Sequence, residues 1–261
     1  NLAGHLLTLR AGLLMLPGHR TDARTLLAGI GDTLAILAGT TDGRARKTLA
    51  ALRERLAAAS DFPAATPETL ADFLQQFIQG VEELVALYAD GTNEEAAAWA
   101  LALLDQCRDA RDEIAFLSPR AAPPSPDGIF ALPSLLDLVA LAEVAPGTAR
   151  LARERIAIIE RLARQAGEFA RMDYDFLYDK DDHLLSIGFN VDDRRRDPGT
   201  YDLLASEARL CSFVAIAQGQ VPQKNWFALG RQLTLAGGQP ILLSWSGSMF
   251  EYLMPLLVMP A

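Results

Sequence analysis

The sequence predicts a mainly α-helical chain, on three observations. Apolar residues recur at three- and four-residue spacing through most of its length. The gaps between these runs carry helix caps and helix stops. Alternating apolar and polar patterning is confined to one short stretch near residues 175–190. With 261 residues, half of them hydrophobic, and a mean hydropathy of +0.12, the chain can bury a sizeable core as one large domain or two small ones.

The first helix carries Leu9, Leu13, Leu14 and Leu16 and is broken by Gly18 after Pro17. Leu26, Leu27, Ile30, Leu34 and Leu37 line a second, which Gly39 stops. Asp42 suits the cap of a third, bearing Leu49, Leu52 and Leu56. Thr66-Pro67-Glu68-Thr69 has the form of an N-cap with proline at the first helical position. It opens a helix with Leu70, Phe73, Leu74, Phe77, Val81, Leu84 and Leu87 on its apolar face. After Gly91-Thr92 comes a helix with Trp99, Leu103, Cys107 and Ile114. Short connections imply antiparallel neighbours, so residues 1–117 read as a helical bundle or connector. No fixed repeat period recurs, which argues against a solenoid.

Residues 118–130 are rich in Pro and Ala and read as a linker, which leaves 131–261 as the remaining region. Pro133-Ser134-Leu135 starts a helix that ends before Pro146-Gly147. A long amphipathic helix from Thr148 to Arg171 follows, with Ile156, Ile159, Leu162, Ala166 and Phe169 on one side and charged residues on the other. Residues 175–178 and 184–190 flank Asp179-Lys180-Asp181-Asp182 and predict one short β-hairpin. The aspartates do not make an EF-hand, because the glycine it requires is absent and Asn190 stands where the bidentate Glu belongs. Asp197-Pro198 then predicts a helix start, with the helix running to Gln218 and stopping at Gly219. Glu207 would lie within its most apolar stripe, a structural acid paired with an arginine such as Arg231. Asp202 and Arg209 fall on roughly the opposite face, and for Asp202 catalytic, sugar-binding and capping roles are all open.

The net charge of −9 and pI near 4.9 argue against binding a phosphate backbone, which needs a basic footprint. Cys107 and Cys211 supply neither a disulfide framework nor metal-ligand spacing and read as small buried residues. No apolar run is long enough to span a bilayer. The first residue is not Met, and the last four, Val258-Met259-Pro260-Ala261, are apolar, so the chain is expected to be part of a larger protein.

Leu243-Ser244-Trp245-Ser246-Gly247-Ser248-Met249-Phe250-Glu251-Tyr252-Leu253-Met254-Pro255 places one carboxylate, Glu251, in an otherwise apolar run with no Lys or Arg nearby in sequence. Desolvation disfavours the charged form of such a group, as a general acid near neutral pH requires. The other reading is a buried structural acid, bonded to backbone or to a distant Arg. Trp245 offers a flat apolar face of the kind that packs on sugar rings, and Gly247 permits close backbone approach.

With this stretch stand Phe176-Leu177-Tyr178-Asp179, Leu185-Ser186-Ile187-Gly188-Phe189-Asn190, the run from Tyr201 to Leu210, and Gly230-Arg231. Together, from Met172 to Met259, they resemble the start of the central, glucoamylase-like region of cyclic β-1,2-glucan synthases. The resemblance implies the beginning of an (α/α)6 barrel. It also implies membership of a large protein of the bacterial inner membrane, with this region on the cytoplasmic face. The family joins a glucosyltransferase region, which uses UDP-glucose and a metal, to this central region and a phosphorylase-like one. The central region closes linear β-1,2-glucan into rings by transglycosylation, without a cofactor of its own. On that resemblance Glu251 is the candidate general acid, and Trp245, Tyr252, Asp202 and Arg209 are candidates for the sugar subsites. Asn225 departs from the family's His before Trp226-Phe227, which puts a role for that loop in doubt.

The second catalytic carboxylate is not identifiable here, and the chain alone is expected to be inactive. The implied partners are linear β-1,2-glucan and the other domains of the same polypeptide. A noncatalytic scaffold that packs those domains together is the alternative, favoured for the Ala/Leu-rich first half. An unrelated helical binding module is the remote third reading.

Overall fold

The helical periods of the sequence become ten α-helices among the described residues, which are 1–60, 67–118 and 132–258 of a computed structural model. Thr66, most of the Pro-rich stretch 118–130, and residues 259–261 of the apolar tail lie outside them. The chain divides into two compact units, one of residues 16–158 and one of residues 1–15 with 159–261.

In the unit of residues 16–158, four helices close a ring: α2 (Ala23–Thr40), α3 (Arg46–Ser60), α4 (Pro67–Leu87) and α5 (Glu94–Leu117). Each packs on the next, and α5 returns to α2. The side chains that the periodicity placed inside are inside: Leu27, Ile30, Leu34 and Leu37 of α2, Leu52 of α3, Leu74, Phe77 and Leu84 of α4, and Leu103, Cys107 and Ile114 of α5. Three-four spacing puts such residues on one stripe, and burying that stripe is the main source of stability for helices of this length.

The corners are polar and specific. Asn93 caps α5 by accepting the Ala96 amide at 3.0 Å, and its own amide donates to the Thr40 carbonyl at 2.8 Å, which ties the start of α5 to the end of α2. Asp42 caps the 3-10 turn before α3 and holds Arg44, whose guanidinium also reaches Asp90 and the Thr92 hydroxyl and lies over the Tyr88 ring. In the same unit, Ser134 and Asp137 form a capping box at the start of α6 (Leu135–Ala140), and Arg20 donates to both Asp137 oxygens.

Helix α7 (Pro146–Phe169) belongs to both units, which divide after Ile158. Its buried positions are mostly alanines (Ala149, Ala152, Ala163 and Ala166), whereas Leu162 and Phe169 are exposed, against the expectation from the wheel. The buried stripe of α7 is therefore narrow and made of small side chains, and its larger apolar residues flank it toward solvent.

In the other unit, α1 (Leu2–Met15) packs on α8 (Arg209–Ala217). The contact runs through Ala3 and Gly4, where a Cβ on Gly4 would sit 3.1 Å from the Leu210 side chain, while Leu9 and Leu14 are exposed. Met254 and Val214 complete this cluster, and a second forms from Tyr174, Tyr178, Leu185, Ala215 and Val221.

The helix predicted from Asp197 to Gln218 is present only from Arg209. Residues 185–201 form a hairpin instead, with β1 (Leu185–Ser186) antiparallel to β4 (Thr200–Tyr201) and β2 (Phe189–Asn190) antiparallel to β3 (Arg195–Arg196). The Asp197-Pro198 signal is spent on a turn: Asp197 Oδ1 accepts the Gly199 amide, and Ser186 donates to the Asp197 carbonyl. The hairpin expected around Asp179–Asp182 is a tight turn closed by one bridge, Tyr178 to Leu185, with Asp179 accepting the amides of Asp181 and Asp182. A further hairpin, β5 (Leu233–Ala236) with β6 (Gln239–Leu242), turns at Gly237-Gly238, both with positive φ. Helix α9 (Lys224–Ala228) precedes it and α10 (Met249–Leu253) follows.

Replacing Phe77 with alanine inside the ring is expected to cost about 3–5 kcal/mol. Leu9→Ala on the exposed face of α1 should change stability by less than about 0.5 kcal/mol. Urea denaturation followed by circular dichroism checks both.

Candidate functional site

The candidate site is the loop from Leu243 to Ser248 together with α10. The Leu243 amide donates to the Gln232 carbonyl at 2.7 Å, which closes the base of the β5–β6 hairpin and sends the chain into the loop. Gly247 takes a φ of 67°, a conformation that any side chain would strain. Ser248 then caps α10 and forms a capping box with Glu251.

The Glu251 side chain turns back into this loop and is only 6% exposed. Its carboxylate accepts from the hydroxyls of Ser246 (2.7 Å), Ser248 (2.8 Å) and Ser244 (3.3 Å), and from the amides of Ser248 (2.8 Å) and Ser246 (3.0 Å). The Ser244 oxygen also accepts the Gly247 amide at 2.9 Å, so the ring of donors and the turn are one network. These bonds favour the ionised form more strongly than burial opposes it. The Ser246 hydroxyl and the Ser248 amide lead in lowering the Glu251 carboxyl to about 2. The expectation that an apolar run would hold this acid protonated is therefore corrected. The run is apolar in sequence, but the serines within it fold onto the carboxylate.

Arg209, at the start of α8, lies behind α10 and donates to the carbonyls of Glu251 (3.3 Å) and Tyr252 (2.8 Å). A cation at the carbonyl end of a short helix satisfies acceptors that have no partner within it. Tyr252 donates its hydroxyl to the Leu242 carbonyl and pins α10 to the end of β6. Arg209, Glu251 and Tyr252 thus come together, with their polar groups directed at backbone and loop. Trp245 stands on the outside of the same loop, 66% exposed, with Met249 and Phe250 exposed beside it.

Asp202 and Glu207 lie apart from this network. The Asp202 carbonyl accepts the Gly230 amide, while its carboxylate Oδ1 is shielded and has no partner among the described residues. Glu207 is half-buried just before α8 and takes a long bond from the Ser206 hydroxyl. Arg231, expected as its partner, donates instead to the carbonyls of Trp226 and Leu229. The sequence reading missed the three serines as carboxylate partners, although Ser248-Met249-Phe250-Glu251 is a capping-box pattern. Asn225, noted in the sequence as a departure before Trp226-Phe227, is fully buried and donates to the His183 carbonyl at 2.9 Å.

The candidate site is thus a serine-ringed carboxylate on a loop that also carries an exposed indole. No protein-family model matches the chain. A cyclic β-(1,2)-glucan synthase, NdvB of Rhizobium meliloti (strain 1021), is 47% identical to it over 113 residues. That stretch is 43% of this chain and spans only 4% of the length of the Rhizobium protein. The resemblance read from the motifs is thus shown: the chain is similar to part of a cyclic β-1,2-glucan synthase. Among the described residues no helix is long and apolar enough to cross a membrane.

Because the Glu251 carboxyl is depressed, the stability it lends the loop is fully present above the ordinary carboxylate range, about 4.3. It is lost as the pH falls through about 2. Carbon-detected NMR titration of the Glu251 carboxyl should give a midpoint near 2. A midpoint of about 6, as in catalytic carboxylic acids, would restore the general-acid reading of Glu251. Arg209→Gln should speed amide exchange at Ser246 and Ser248 about tenfold, by releasing α10 from α8.

Proposed function

We propose that the chain is part of a cyclic β-1,2-glucan synthase and that residues 172–258 contribute to its central, ring-closing region. The observation that carries this reading is the 47% identity over 113 residues to the Rhizobium synthase, together with a loop that presents Trp245 at the surface. In this reading the substrate is linear β-1,2-glucan, and ring closure transfers a glycosyl bond to a hydroxyl of the same chain. The enzyme must hold both ends of one polymer close together and keep water from competing as acceptor. An exposed indole suits that task, because its flat apolar face packs on the C–H face of a sugar ring while the ring hydroxyls stay hydrated.

Glu251 then acts as a positioning residue that fixes the loop carrying Trp245, with Arg209 and Tyr252 holding α10 from behind. Proton donation by Glu251 is the second reading. The motif resemblance favours it, and the ring of donors weighs against it, because each donor lowers the carboxyl further from the range where it protonates a leaving oxygen. UDP-glucose and its metal serve the separate glucosyltransferase region of the protein, on the cytoplasmic face of the inner membrane. The helical unit built on α2–α5 packs the synthase's domains together, which gives the scaffold alternative a place within the same polypeptide.

Product analysis by mass spectrometry tests this. Linear β-1,2-glucan is incubated with this chain and with the longer natural polypeptide that carries it. Rings are expected from the longer polypeptide and none from the chain alone. In the longer form Trp245→Ala should raise KM about tenfold, the value of one lost stacking contact. Glu251→Gln should raise KM and leave kcat within about tenfold if it positions the loop. A kcat loss of about 10²–10⁴ with KM unchanged would make it the acid. Failure of the longer wild-type polypeptide to convert linear glucan would overturn the assignment.

A further inference from the structure

Three arginines line one groove away from the Glu251 loop. Arg10 of α1, Arg164 of α7 and Arg171 just beyond α7 share a groove of about 760 Å³ with Glu168, Gln218 and Gln220. Elsewhere the chain pairs many of its arginines with carboxylates: Arg44 with Asp42, Arg108 with Glu82, Arg150 with Glu154, and Arg155 with Glu113. The three guanidiniums of the groove make no ion pair and donate no side-chain hydrogen bond among the described residues, and Glu168 is likewise unpaired there. Three cations against one carboxylate is a local positive excess in a chain of net charge −9.

The groove also depends on a glycine. A Cβ on Gly167 would lie 3.0 Å from Arg10 Cδ and 3.1 Å from its Nε, so the absence of a side chain there lets Arg10 lie flat across α7. Opposite demands come from the glutamines. Gln220 donates its amide nitrogen to the Met172 carbonyl, and the amide oxygens of both Gln218 and Gln220 are shielded from solvent without a hydrogen-bond partner. Unmet acceptors of this kind are uncommon in folded proteins.

We propose that this groove binds a small hydroxylated phosphate ester. Guanidinium forks match phosphate oxygens in geometry and charge. The hydroxyls of such an ester are donors for the Gln218 oxygen once its amide turns toward them, while Gln220 keeps its bond to the Met172 carbonyl. The volume falls in the range of small-molecule sites, roughly 300–1,000 Å³. The inference rests on this groove alone and is independent of whether the Trp245 loop handles glucan.

The test is a titration of the full chain at low salt with glycerol 3-phosphate, inorganic phosphate and glycerol, followed by proton–nitrogen NMR of the arginine side chains. Saturable shifts at Arg10, Arg164 and Arg171 are expected with glycerol 3-phosphate, with weaker binding of inorganic phosphate and none of glycerol. Arg10→Gln and Arg164→Gln should each weaken binding about tenfold, the value of one charge-assisted hydrogen-bonding partner. Arg150→Gln, which removes the same charge at its Glu154 pair, should leave binding unchanged. No saturable shift, or equal binding by all variants, would overturn the proposal. Binding to phosphatidylglycerol vesicles without binding to either free phosphate would also overturn it, by assigning the groove to lipid headgroups.

Discussion

The C-terminal loop depends on one carboxylate and the donors that surround it. Glu251 is an anion in a place nearly closed to water, and an unpaired anion there would be costly. Serine hydroxyls and backbone amides meet that demand from within ten residues of sequence, so the loop is organised around its own charge. Because the donors include the amides that begin α10, the same bonds shape the loop and start the helix. Arg209 and Tyr252 extend the constraint outward, one to α8 and the other to the end of β6. The exposed face of Trp245 is therefore carried on a rigid support, although it lies on a loop.

The ring of α2–α5 is held differently. Its interior is apolar and is set by side-chain spacing, while its polar devices sit at the helix ends. Asn93 shows the division of labour: one side chain caps α5 and holds the end of α2, and it does so outside the buried stripe. The Arg44 corner does the same for the chain that leads into α3.

The helices of this ring were legible because their signal is local. A stripe at helical spacing reads the same way in the sequence and in the fold, and Leu27, Leu34, Leu74 and Leu103 all lie where the period puts them. The region after residue 172 was less so. Asp197-Pro198 is a sound helix start by its chemistry, but an aspartate caps a turn as readily as a helix, and the strand partner 185–190 decides between them. The β5–β6 hairpin did have a local signal, Gly237-Gly238 between two short apolar runs, and it went unread. At the candidate site the residues were found in advance and their surroundings were not. Apolar neighbours in sequence suggested a protonated Glu251, whereas folding brought Ser244, Ser246 and Ser248 onto it.

By itself the sequence determined the mainly helical class, the buried stripes, the acidic balance and the motif resemblance to cyclic β-1,2-glucan synthases. Each of these follows from residue identity and short-range spacing. Tertiary structure alone decided the protonation of Glu251, the turning of Arg209 toward backbone carbonyls and the gathering of Arg10, Arg164 and Arg171 into one groove. Those outcomes depend on which donors and charges lie within a few ångströms, and the chain sets such distances only when distant segments pack.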